Sequence, residues 1–215
     1  MSILNRKYWR ILEQWSPILF YFAGIIFLLS SLQNFIGPIP YLSFLGYIPI
    51  GSILSLIGVL SLYPNLSKKA PNLARAGFLF LVVSVITIVS ISIISPLLKL
   101  NPDQSVIPDF ILPFFTYGQL TTVFLTYLLF GVAVFKSSYY TQILGYLLLL
   151  PALLVAGELL ILNQQAQGKI IKWFFITALS IQALDSLGIG YVIYKQSEAA
   201  HTKIDSVYSR IKEMV

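Results

Sequence analysis

The chain has 215 residues, of which 57% are apolar and 10% charged, with a net charge of +6 and a mean hydropathy of +0.84. An ordinary soluble domain carries about 25% charged residues, and a soluble fold of this size cannot hide so much apolar surface from water. These totals exclude a soluble globular enzyme, a disordered tail and a nucleic-acid binder, and the positive charge reads as loop charge facing an anionic membrane surface.

Residues 1–16 come first. Leu4, Tyr8, Ile11, Leu12 and Trp15 recur at helical spacing, with Arg6, Arg10 and Glu13 off that face. This pattern predicts a short amphipathic helix on the inner membrane surface. A basic start before an apolar run superficially resembles a signal peptide. No small-x-small cleavage site follows at Ser31-Leu32-Gln33-Asn34, so the run reads as a retained span.

Six stretches are long and apolar enough to cross about 30 Å of hydrocarbon: 17–36, 42–62, 76–98, 113–135, 142–162 and 173–194. Backbone groups in lipid must bond within their own segment, and these runs exceed barrel strands, so helices follow. The expected fold is an all-α six-transmembrane-helix bundle over 17–195, followed by a cytoplasmic amphipathic tail over 196–215. With the N-terminus inside, eleven of the fourteen Lys and Arg residues fall on the inner side, and only Lys99, Lys169 and Lys172 fall outside. That sorting predicts both termini cytoplasmic, in a cell membrane. Trp9 and Trp15 on the inside, Trp173 on the outside and Tyr194 on the inside are the expected interface anchors.

The connections differ in kind. Gln33 to Tyr41 has no charge and holds Gly37-Pro38-Ile39-Pro40, a tight turn sequence. Lys99 to Pro113 carries Pro102, Pro108 and Pro113, which rule out a continuous helix there. It reads as an outer cap or an ordinary exposed loop. The stretch from Leu62 to Gly77, containing Pro64-Asn65-Leu66-Ser67-Lys68-Lys69, resembles the inner loop of small prokaryotic multi-span proteins, a likeness of one loop that implies no activity. The second, fourth and sixth spans end in Gly58, Gly131 and Gly190, each followed by a short apolar run and an aromatic. That suggests a same-orientation repeat of helical hairpins, or simply the shared needs of spans that end at an inner aromatic belt. In the tail, Ile204, Val207, Tyr208 and Ile211 form a stripe whose other faces mix Lys203, Asp205, Arg210 and Glu213. Mixed charge favours packing against protein over lipid, so this is the candidate partner-contact face.

Two acids fall within spans. Asp185 lies near the middle of the sixth, with Gln182 and Ser186 close to its face. A carboxylate at that depth is costly and marks either a proton or cation site or a structural interhelical hydrogen bond. Glu158 lies nearer the outer end of the fifth span, and a water-linked relay from it to Asp185 is one arrangement the sequence allows. Gln119, Thr122 and Thr126 share a side of the fourth span, and Ser84, Thr87 and Ser90 recur in the third. These polar positions mainly suggest helix contacts. Thr126 is also a candidate lining of a polar path.

Other chemistries lack residues. The one histidine, His201, lies in the tail, and no Cys is present, so intramembrane haem, zinc and iron–sulfur sites are not expected. No metal and no cofactor are predicted, although bound lipids or other apolar ligands would leave no motif. The leading expectation is a non-catalytic integral subunit or scaffold packed with other membrane subunits or with itself. The alternative is an oligomeric small-solute, ion or proton carrier using Asp185. A third is an outer-face lipid-acting enzyme built on Asp103, Asp109 or Glu158.

Overall fold

The computed structural model describes residues 6–36, 47–100, 111–163 and 168–213, with side chains placed over 8–36, 48–94, 113–161 and 170–199. Every element among these residues is helical: α1 (Arg6–Ile36), α2 (Tyr47–Leu60), α3 (Tyr63–Lys69), α4 (Pro71–Leu100), α5 (Ile111–Lys136), α6 (Gln142–Asn163) and α7 (Gly168–Glu213). Five of them, α1, α4, α5, α6 and α7, are each long and apolar enough to cross a membrane, whereas α2 and α3 qualify only together, as a pair bent by 45°. The chain is a multi-pass helical membrane protein, with five such helices among the described residues, or six if the bent pair is one span.

The boundaries depart from expectation in three places. The N-terminal amphipathic segment is not a separate helix; it forms the first turns of α1, which continues through Pro17. Proline there deprives the Glu13 carbonyl of its helical donor. Packing holds the helix on course: buried Ser16 donates from Oγ to the Gly58 carbonyl of α2 at 3.3 Å, and the Pro17 carbonyl lies against Gly190 of α7. The tail likewise continues the last span, as one helix from Gly168 to Glu213. Third, the expected inner loop contains α3. Pro64 starts it, where a missing N–H is harmless, and Lys68 and Lys69 end it, where cations complement the helix dipole. Residues 101–110, with Asp103 and Asp109, lie outside the described residues, as do 37–46.

The long helices pack as a closed ring in the order α1, α2, α4, α5, α6, α7 and back to α1. Small residues make the close approaches. Pro17, Gly24 and Ser31, each seven residues apart on α1, face Gly190, Ala183 and Ile176, also seven apart on the antiparallel α7. A Cβ on Gly24 would sit 2.9 Å from the Ala183 carbonyl oxygen, so the backbones touch there without a side chain between them. Farther along, Ser31 donates to the Ile176 carbonyl at 3.0 Å and shares a 2.7 Å bond with Ser180. Against α2 the pattern is knob and hole: Phe20 rests on Gly58 and Phe27 on Gly51. Phe130 of α5 rests on Gly77 of α4, and Gly131 of α5 meets the Gly145 carbonyl of α6.

The three span-ending glycines thus share a local role. Gly58, Gly131 and Gly190 each sit at a close helix–helix approach. α1–α7 and α4–α5 are the most extensive interfaces, α1–α2 and α5–α6 come next, and α2–α4 and α6–α7 are the slightest. In chain order, α1, α2 and α4 make up the first half of the ring and α5, α6 and α7 the second.

Six basic side chains, Arg10, Lys68, Lys69, Arg75, Lys136 and Lys195, gather at the end of the ring where α1 and α4 begin and α5 finishes. We call this the basic end. Trp9 stacks on Tyr63 there, with ring centroids 5.8 Å apart, and Tyr63 meets Phe78 at 5.1 Å. At the opposite end Phe35 meets Trp173 edge-on. Trp15, Trp173 and Tyr194 are exposed and Trp9 is half-buried.

Candidate functional site

The central layer of the ring is built by α2, α5 and α7. Asp185, on the buried side of α7, is only 3% exposed. Neither of its carboxyl oxygens has a hydrogen-bond partner. Ser186 beside it is buried and Gln182, one turn away, is half-buried. Facing this layer, the buried Tyr127 hydroxyl of α5 hydrogen-bonds the Ser55 hydroxyl of α2. The Ser55–Tyr127 bond joins the two halves of the ring. Removing it with Tyr127→Phe is expected to cost about 0.6 kcal/mol and at most about 2. A double-mutant cycle with Ser55→Ala, read by thermal unfolding in detergent, measures the coupling.

Two apolar layers enclose the polar one. Val59, Leu62, Phe130, Leu144, Ile189 and Ile193 lie toward the basic end, all buried. Toward the other end lie Phe27, Ile88, Val123, Ala152, Val155 and Leu179. The α6 helix passes the layer at Pro151, which removes a backbone donor and leaves the Leu147 carbonyl without its helical partner. The Leu147 side chain lies against Gly188, one turn from Asp185.

The other expected site residues are elsewhere. Thr126 adjoins Tyr127 in sequence but faces α4. Its hydroxyl donates to the Thr122 carbonyl at 2.8 Å and lies 3.4 Å from Ser84 Oγ. Glu158 is half-buried on α6, next to Gly157, which packs on Phe174 of α7. Phe174 precedes Asp185 by eleven residues, about 16 Å of helix rise. Glu158 and Asp185 are therefore not in contact, and no chain of polar side chains links them among the described residues. No three His, Cys, Asp or Glu side chains gather into a metal-binding group among those residues either. Ile204, Val207, Tyr208 and Ile211 lie on the helical backbone of α7, with side chains outside the described ones.

A second polar feature was not expected from the sequence. At the basic end, the early turns of α1, the α2–α3 turn, the α5–α6 connection and residues 193–199 of α7 line a vestibule of about 700 Å³. Its walls include Arg10, Glu13, Tyr140 and Gln196, together with the buried Leu62 and Ile193. Asn65 of α3 ties it together, donating to Glu13 Oε1 at 2.9 Å and to the Tyr140 hydroxyl at 3.2 Å. Burial pushes the Tyr140 hydroxyl up from its ordinary value, so it keeps a proton to donate. No sequence signal joins these residues, since they come from four separate segments.

No protein family, curated protein or solved structure matches this chain. Its class rests on its own features: a membrane-embedded, multi-pass helical bundle with a buried acidic side chain at its centre.

Proposed function

We propose that this protein moves protons or small cations across a cell membrane, with Asp185 as the binding group. The observation that carries the reading is the pair of unpartnered oxygens on a buried carboxyl. A structural aspartate in a membrane helix would bond a neighbouring helix; this one bonds none, and such a group calls for an ion, a proton or water. The ring geometry supports the same reading. With six spans and both termini on the cytoplasmic side, each half holds three spans, so the halves run in opposite directions. A buried carboxyl between oppositely directed halves is compatible with a carrier that alternates its access.

The test is reconstitution in vesicles with an internal pH dye. The wild type is expected to dissipate an imposed proton or cation gradient and Asp185→Asn to match empty vesicles. Glu158→Gln is expected to retain activity, because Glu158 packs far from Asp185. An Asp185→Asn variant as active as the wild type would end the proposal.

A second reading, the integral subunit of a larger complex, is favoured by α7 alone. This helix continues nineteen residues past Tyr194, about 28 Å beyond the expected span. It carries the Ile204, Val207, Tyr208 and Ile211 stripe. The small-residue faces of α1 and α2 do not add to this reading, because α7 and the two phenylalanines of α1 already occupy them. Truncation after Ala199 is expected to release any protein that co-purifies from the native membrane in mild detergent. A monomer with no co-purifying protein would count against this reading.

A further inference from the structure

The vestibule at the basic end holds two opposite charges that leave each other alone. Arg10 and Glu13 lie one turn apart on α1, and both line the cavity. Side chains at that spacing are neighbours able to pair, yet the ion pair found among the described residues is Lys195 with Glu198. Glu13 accepts instead from Asn65, and a carboxylate has lone pairs to spare after one such bond. Arg10 has no ion-pair partner among the described residues. From α7, Gln196 contributes a side-chain oxygen, Oε1, that is buried and accepts no hydrogen bond. From the α5–α6 connection, Tyr140 contributes a hydroxyl that already accepts from Asn65 and still has its own proton to give.

The cavity therefore offers donors around Arg10 and Tyr140, and acceptors at Glu13 and Gln196. Its volume, about 700 Å³, suits a small polar molecule or a lipid headgroup. A simple anion would meet the Glu13 carboxylate, and a simple cation would meet the Arg10 guanidinium. A ligand carrying both charges meets neither objection. The orphaned Gln196 oxygen adds a condition: the positive group must itself carry N–H donors, which a quaternary ammonium lacks.

We propose that this vestibule binds a zwitterion with a primary ammonium, its anionic oxygens held by Arg10 and its ammonium by Glu13 and Gln196 Oε1. Phosphatidylethanolamine headgroups and free α-amino acids share that chemistry. The site is independent of ion movement through Asp185, from which an apolar layer separates it.

Binding is tested on the full chain in nanodiscs of phosphatidylcholine. Phosphatidylethanolamine and phosphatidylglycerol are the lipid probes; glycerophosphoethanolamine, glycerophosphocholine and alanine are the soluble ones. Native mass spectrometry and the shift of the thermal midpoint are the readouts. The expected result is preference for an ethanolamine probe over its choline counterpart by about tenfold or more, the worth of one charge-assisted hydrogen bond. Phosphatidylglycerol is expected to show no preference over phosphatidylcholine. Binding confined to the lipid probe identifies a headgroup as the ligand, and binding of the soluble zwitterions identifies a solute; either supports the site. Arg10→Gln and Glu13→Gln are each expected to abolish the preference. Because the ethanolamine-to-choline ratio is read within each variant, a general loss of stability does not mimic that result. Equal binding of ethanolamine and choline probes, no binding of any zwitterion, or an unchanged ratio in either variant overturns the proposal.

Discussion

Replacing Asp185 with valine is expected to stabilise the protein by about 1–3 kcal/mol while abolishing gradient dissipation. Both carboxyl oxygens are buried without a partner, and a buried polar group left unsatisfied costs about 1–3 kcal/mol. An apolar side chain of similar volume removes that cost, as apolar replacements of buried charged groups commonly do. Asp185→Asn, by contrast, keeps two unpartnered polar atoms in the same place. It is expected to lose activity with little change in stability. A structural aspartate predicts the opposite order, with both replacements destabilising. Thermal midpoints of the three proteins in one detergent, set beside their vesicle assays, separate the cases. Stability held below its attainable value at the working site is the usual signature of function.

The largest loss of stability is expected from valine at Gly24. The missing Cβ would come within 2.9 Å of both the Ala183 carbonyl oxygen and Leu187 Cγ. Leucine can turn aside, but the carbonyl belongs to the backbone of α7 and yields only if the helices part. Overpacking of this kind costs about 1–3 kcal/mol and sometimes more. Here it would also pull Ser31 from the Ile176 carbonyl and Gly190 from Pro17, because all three contacts lie on one helix pair. Gly118→Ala is the control. Nothing lies within 4 Å of a Cβ at that position, so the substitution is expected to be neutral or to add up to about 1 kcal/mol through helix propensity. Unfolding in mixed micelles measures both, and equal effects at the two glycines would show that the close approach of α1 and α7 matters little.

Hydropathy alone located the long helices, since only a run of about 20 apolar residues crosses a bilayer. Asp185 stood out for the same reason: a carboxyl is conspicuous in such a run. Tyr127 did not. A tyrosine among apolar residues looks like any packing aromatic until the register of α5 against α2 sets its hydroxyl beside Ser55. That register depends on where Gly58, Gly77 and Gly131 let helices approach, which is a property of pairs of segments. The vestibule was hidden for the same reason, because Glu13, Asn65 and Tyr140 meet only when the ring closes. At the N-terminus the amphipathic stretch and the first span form one helix, Arg6–Ile36. The contacts made by Ser16 with α2 and by Pro17 with α7 carry the helix through the proline.

The ring closes between its first and last spans, which sets an order of events during synthesis. Gly24 leaves the ribosome 159 residues before Ala183, roughly 8–30 seconds at ordinary elongation rates. Until then the groove of α1 along Pro17, Gly24 and Ser31 faces lipid with nothing in it. Any chain that stops short of α7 leaves that groove without α7 and Ser31 without the Ile176 carbonyl.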